Sequence, residues 1–383
     1  MFPRLLPPPR TSFFLFGPRG TGKSTWIQSH FADAFVVNLL ELDTMVRLER
    51  RPERFRAAVL QQPKTRWIVL DEVQRAPRLL DEVHRLMEKG YTKFALTGSS
   101  ARKLKRGAAN LLAGRAVVRN LFPLTTAEMD FSVPMEQLLS YGAMPLSVNA
   151  ADNAEREDFL RAYVSTYLAE EIKAEALIKD LGDFGRFIEV AAVVAGQTTN
   201  VSGVARDAGV SRETVRGYFE VLVDTLVGSW LPAYRPRAKM KEVALPKFYW
   251  FDPGVLHAAA GGFDQPLPGD WDGVLLEHLV HHELRSRIHY ANVKGSLGYW
   301  KTPSGSEVDF VWWHGRNVVL IEVKNGRDYR REYRKGIEAF LGGGTKAKSY
   351  IVYRGELELN VDGTRVLPIE KFLQRLHKGE ILS

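Results

Sequence analysis

The sequence predicts a multidomain α/β protein whose amino-terminal domain is built on a parallel sheet. Three observations lead there. Short apolar runs alternate with stretches of helical length through residue 123. A glycine-rich segment joins the first run to the first helix. Near residue 310, two longer apolar runs are joined by a tight turn and return the chain to mixed α and β structure. At 383 residues the chain is also too long for one compact core.

Strands are predicted at 13–16, 35–39, 67–70 and 93–98, the first and third of them continuous apolar runs of the kind buried on both faces. Helices are predicted at 23–31, 47–62 and 79–88, the second carrying Leu48, Phe55, Val59 and Leu60 as an apolar stripe. This organisation fills residues 1–125. Residues 126–183 hold no convincing strand and read as a helical lid, with a helix over 159–177. Residues 184–240 form a compact helical unit, and Pro232, Pro236, Pro246, Pro253, Pro266 and Pro268 mark a looser connection. Residues 241–383 form the last domain, with a helix over 273–284 ahead of its strands.

Composition narrows the classes. The chain is 45% hydrophobic and 26% charged, ordinary for a globular protein. With no cysteine, disulfides, thiolate-bound zinc and a cysteine nucleophile are excluded. No apolar run approaches the ~18 residues of a membrane span, and proline breaks up the first ten residues too often for a signal peptide. The expected setting is cytoplasmic, away from the membrane. A net charge of +8 favours an anionic partner such as nucleic acid.

Gly17-Pro18-Arg19-Gly20-Thr21-Gly22-Lys23-Ser24 fits G-x-x-x-x-G-K-[ST] between a strand and a helix, the context that motif requires. Glycine lets backbone amides converge on phosphate oxygens at the positive end of the new helix. Lys23 is placed to reach the β- and γ-phosphates of ATP, and the Ser24 hydroxyl to hold Mg²⁺. Farther on, an apolar strand ends in Asp71-Glu72. Asp71 is placed to bind Mg²⁺ through water, and Glu72 to orient or deprotonate the attacking water. Two adjacent acids are otherwise ordinary surface residues.

With these motifs the chain resembles AAA-type (AAA+) ATPases. Leu96-Thr97-Gly98-Ser99-Ser100 looks like their sensor-1 strand, so Thr97 or Ser99 would meet the γ-phosphate or the water. The resemblance also implies an arginine presented to a neighbouring subunit's nucleotide. Arg115 is the first candidate and Arg119 the second; the plainer alternative is an arginine paired with a surface carboxylate. A shared site of that kind implies a homo-oligomer, with a hexameric ring among the options.

Residues 201–219 read as helix, turn, helix. Gly209 suits the turn, Ser211 caps the second helix, and Val204, Ala208, Val210, Val215 and Phe219 supply a core. This looks like a helix-turn-helix or winged-helix domain, with Arg212, Thr214 and Arg216 where a recognition helix meets DNA. A packing module with a solvated charged face is the alternative.

In the last domain, Glu307–His314 and Asn317–Lys324 form a predicted hairpin. A symmetric turn places Asp309 opposite Glu322 on one face, with Lys324 two residues on. Burying such charges without a task is costly, and paired carboxylates suit Mg²⁺. The D…E-x-K arrangement resembles the PD-(D/E)xK nuclease fold, and Glu277 matches the extra acid of many such enzymes. A cross-strand ion pair at the sheet rim is the alternative. Arg327, Arg330, Arg331, Arg334 and Lys335 follow, where they either track a phosphate backbone or line a solvated helix.

Taken in order, these domains resemble a bacterial and archaeal family of ATP-binding proteins whose carboxyl-terminal domain has no known function. The expected activity is ATP hydrolysis coupled to action on DNA, duplex or branched, with a nuclease-like last domain. The rival is a nucleotide-controlled switch whose last domain binds a protein partner without cutting DNA.

Overall fold

The computed structural model describes residues 2–99, 112, 114–170, 181–235, 245–267 and 269–383. Residues separate into two compact units. One comprises Arg4–Pro123 with Val221–Val227, the other Leu124–Glu220 with Gly228–Ser383 and the first three residues.

The first unit contains strands β1 (Phe13–Phe16), β2 (Phe35–Asn38), β3 (Ile68–Asp71), β4 (Phe94–Gly98) and β5 (Val117–Asn120). Its helices are α1 (Lys23–His30), α2 (Leu42–Arg50), α3 (Glu53–Leu60) and α4 (Leu79–Glu88). The sheet order is β2-β3-β4-β1-β5, every pair parallel. Parallel strands bury both faces, and β1 and β4 are buried at every position. Phe16, Asp71 and Gly98 all end strands at the same edge, the edge where α/β sheets bind ligands.

The single helix predicted over 47–62 is two. Pro52 lacks an N–H and disfavours the helical conformation of the residue before it, so α2 stops at Arg50 and α3 restarts at Glu53. Of the predicted stripe, Leu48, Phe55 and Val59 are buried, whereas Leu60 faces solvent.

The second unit begins with α5 (Met135–Tyr141), α6 (Pro145–Asn149) and α7 (Asn153–Ala162), which continues as a π-helical turn over Tyr163–Leu168. Residues 171–177 of the helix predicted over 159–177 lie outside the described residues. Then come α8 (Leu181–Val193), α9 (Val201–Ala208) and α10 (Arg212–Asp224, of which residues 221–224 are counted with the first unit), followed by the antiparallel pair β6 (Gly228–Leu231) and β7 (Lys247–Trp250). Gly209 turns the chain between α9 and α10 at φ 67°, and the Ser211 hydroxyl accepts the Thr214 amide at 3.1 Å.

In its described residues the proline-rich stretch carries regular structure rather than a loose connection. Every residue of β7 is buried, and Pro253 opens α11 (Pro253–Ala259), where a missing N–H costs nothing. Pro236 and Pro268 lie outside the described residues. After α12 (Trp271–Tyr290) the chain forms β8 (Ser296–Lys301), β9 (Glu307–His314), β10 (Asn317–Lys324), α13 (Lys335–Gly342), β11 (Lys348–Tyr353), β12 (Leu359–Val361), β13 (Thr364–Pro368) and α14 (Ile369–Lys378). The six strands make one mixed sheet, ordered β12-β13-β11-β10-β9-β8.

One buried charge ties distant parts of this unit together. Glu283 on α12 accepts the Thr126 amide at 2.7 Å and pairs with His377 Nε2 at 2.5 Å. Burial pushes its carboxyl up, but the His377 bond and charge outweigh that and hold it below the usual carboxylate range. A depressed carboxylate stabilises the fold above its unfolded pKa of 4.5, and that contribution is lost as pH falls through the lower folded value. Glu283→Gln is therefore expected to cost about 1–3 kcal/mol at neutral pH. It should also flatten the acid limb of stability, measured by urea unfolding across pH.

Candidate functional site

At the ends of β1, β3 and β4 the backbone builds a phosphate cradle. Gly20 and Gly22 adopt φ 82° and 89°, a region costly for other residues. Thr21 Oγ1 donates to the Pro18 carbonyl at 2.9 Å and closes the loop. No side chain caps α1 at Gly22, so the helix presents its amides to the loop. Lys23 is buried, and its Nζ donates to the carbonyls of Gly17 at 2.8 Å and Pro18 at 3.2 Å. A β-carbon on Gly17 would stand 2.3 Å from the Leu121 carbonyl. Gly17→Ala is therefore expected to cost about 1–3 kcal/mol through forced displacement and to weaken ATP binding, as read by thermal unfolding with and without nucleotide.

Facing the loop, Ser24 Oγ donates to Asp71 Oδ2 at 3.2 Å, and Thr97 Oγ1 donates to Asp71 Oδ1. Ser24 and Asp71 thus stand together as hard oxygen donors, the set Mg²⁺ prefers. Because β4 lies between β1 and β3, Thr97 sits between the loop and the acid pair. The Glu72 amide donates to Thr97 Oγ1 at 3.2 Å, and Glu72 itself holds φ 60°, an unusual conformation for its residue type.

Two further residues shape this site, Gln74 and Arg4, and neither has a role in the sequence reading. Gln74 Nε2 donates to Glu72 Oε2 and, at 3.1 Å, to Ser99 Oγ. Its place two residues beyond the acid pair was the available clue. Arg4 donates to the carbonyls of Thr21 at 2.8 Å and of Phe122, tying the loop to the segment after β5. Nothing local in a proline-rich terminus marks it. Arg115 contacts its own α4, through His84 Nε2 at 2.6 Å and Glu88 at 3.9 Å, while Arg119 donates to the Val118 carbonyl. Ser100 and Ala113 lie outside the described residues.

The second candidate site lies on the mixed sheet. The hairpin pairs Asn317 with His314 and continues in step to Ile321 with Phe310, which leaves Glu322 and Asp309 at the next position. Asp309 Oδ2 accepts the Val323 amide at 2.8 Å. Glu322 Oε1 meets Lys324 Nζ at 2.7 Å, whereas among the described residues its buried Oε2 has no hydrogen-bond partner. Burial, then the Glu277 charge, pushes Asp309 up to about 6; burial, then Asp309, pushes Glu322 up to about 8. Burial opposes the Lys324 ammonium, but Asp309 and Glu322 hold it protonated above its ordinary range.

Glu277 is not gathered with them as a third ligand. Its Oε1 accepts from Tyr249 and from Lys247 at 3.3 Å, and Lys247 reaches Glu307 at 2.5 Å. Among the described residues, no three His, Asp or Glu side chains are grouped to hold a metal ion. Asp309 and Glu322 remain as a pair of carboxylates, and the orphaned Glu322 Oε2 is the atom that fits a divalent cation. The basic run beyond β10 is also divided. Arg327, Arg330, Arg331 and Lys335 are exposed, but Arg334 is buried against Asp362 and Glu338 and is unavailable to a phosphate backbone.

Family comparisons divide the chain in three. Residues 9–130 match an AAA domain, residues 134–266 match "Domain of unknown function (DUF8612)", and residues 272–372 match "Domain of unknown function (DUF4143)". An uncharacterized protein of Mycobacterium tuberculosis is 26% identical over 327 residues, spanning 82% of this chain and 71% of its own. One of Methanocaldococcus jannaschii is 23% identical over 338 residues, spanning 81% and 73%. Among solved structures, the Aeropyrum pernix ORC1 protein in complex with DNA aligns at 12% identity and a TM-score of 0.29, covering 66% of this chain and 87% of that one. No helix among the described residues is long and apolar enough to cross a membrane. The AAA match covers the cradle and both acids, so residues 9–130 are an AAA-type P-loop ATPase domain.

Proposed function

We propose that this chain hydrolyses ATP, with Mg²⁺, to act on DNA. The observation that carries it is the convergence of Lys23, Ser24, Asp71, Glu72 and Thr97 at one edge of a parallel sheet. Lys23 neutralises charge on the β- and γ-phosphates. Ser24 and Asp71 would hold the magnesium, which when bound would supply positive charge beside the phosphates. Glu72 accepts the proton of the attacking water, oriented by Thr97 and Ser99. Arg115, with Arg119 second, answers charge on a neighbouring copy's nucleotide in a homo-oligomeric ring.

The DNA half rests on charge and placement. Arg212 and Arg216 are exposed near the start of α10, Thr214 is half-buried between them, and the helix pair with β6 and β7 has the order of a winged helix. The mixed sheet of residues 241–383 supplies a PD-(D/E)xK-like site. There Asp309 and Glu322 would hold a divalent cation, whose charge would favour a bound phosphodiester, and Lys324 would steady the phosphate's charge. Residues 126–183 act as the lid.

Binding of labelled single-stranded, duplex and four-way-junction DNA tests this reading. One form should bind with an affinity that falls steeply as salt rises, and Arg212→Ala with Arg216→Ala should weaken it and shallow that slope. No binding to any form at low salt overturns the DNA half. A specific contact then favours the rival, a switch driven by a protein partner. Gln74 donates to Glu72, a contact through which a bound partner could control the acid.

A further inference from the structure

Lys247 is the most deeply buried cation beside the carboxyl-terminal site, at 2% exposure, and the proposed chemistry leaves it without a task. It enters from β7, outside the sheet that carries Asp309 and Glu322. Its Nζ lies 3.3 Å from Glu277 Oε1 and 2.5 Å from Glu307 Oε1, with the Tyr299 ring centre at 5.3 Å. Tyr249 donates to the same oxygen of Glu277, and Lys301 holds the other oxygen of Glu307 at 2.6 Å. These two acids are thus satisfied by the protein's own cations. Glu322 is satisfied only in part: Lys324 holds its Oε1, while among the described residues its buried Oε2 has no donor, and the neighbouring Asp309 accepts the Val323 amide.

We propose that the Lys247 ammonium takes the place of a second metal ion, so that this site binds one divalent cation, on Asp309 and Glu322. The inference rests on the reading of that pair as a cation site. Charge supports a single ion. With Asp309 and Glu322 ionised, four carboxylates face the three lysines 247, 301 and 324, leaving one negative charge. One divalent cation and one phosphodiester bring that set to neutrality. A second divalent cation would leave two uncompensated positive charges in a partly buried site, which is costly. Lys247 is therefore a positioning residue, holding Glu277 and Glu307 away from metal ligation.

Manganese titration of the full, nucleotide-free chain tests this, with free Mn²⁺ read by its electron paramagnetic resonance. The ions to count are those lost in Glu322→Gln. The wild type should bind one. Lys247→Met, which keeps the buried stem, should bind two, and adding Glu277→Gln should return the count to one. Lys247→Arg should stay at one. Two Glu322-dependent ions in the wild type overturn the inference, even where Lys247→Met does not fold, and so does a count of one in a folded Lys247→Met. No Glu322-dependent ion in the wild type overturns the cation site itself, and the inference with it.

Discussion

Glu72→Gln is expected to lower the turnover of ATP by about 10²- to 10⁴-fold, the usual contribution of a positioned general base. Binding of ATP should be nearly unchanged, because the proposed phosphate contacts are Lys23, Ser24 and the loop amides rather than Glu72. A split of that kind, kcat lost with affinity kept, marks an interaction made only as the reaction proceeds. The substitution is also gentle on the fold. Glutamine keeps the size of glutamate, and the Glu72 amide still donates to Thr97 Oγ1. Measuring kcat and nucleotide affinity on the same preparation checks both halves. Equal losses in affinity and turnover would instead assign Glu72 a role in holding the loop.

In nucleotide-free protein, Mn²⁺ is expected to raise the stability of the wild type and not that of Asp309→Asn. At about 1,000 times the dissociation constant, one tightly bound ion stabilises by about 4.1 kcal/mol. The effect should appear as a rise in Tm with Mn²⁺ concentration. Asp309 is the informative position because its Oδ2 accepts the Val323 amide, a bond asparagine can keep through its own oxygen. The variant should therefore fold and lose only the charge that a cation needs. A Tm that rises equally in both proteins would place any bound ion elsewhere.

Much of this was legible in the sequence, for physical reasons that differ by element. The P-loop reads directly because its chemistry is local: glycine, lysine and serine at fixed spacing between a strand and a helix admit few other uses. The hairpin register reads because a two-residue turn fixes which residues face each other, and Asn317 indeed pairs with His314. The break between α2 and α3 was available in Pro52, but the apolar stripe, which runs on in phase from Leu48 to Phe55 and Val59, masked it. Lys247 could not be read. Its partners Glu277 and Glu307 come from a helix and another strand, and no spacing within one element records such a meeting. The same holds for Arg334, which sits in a basic run yet is buried by Asp362 from the turn between β12 and β13.

ATP hydrolysis by the purified chain, alone and with single-stranded, duplex and four-way-junction DNA, tests the central claim most directly. Coupling predicts stimulation of several-fold or more by one DNA form, absent in Glu72→Gln under every condition. A rate from the wild type that ignores every form of DNA at low salt would contradict it.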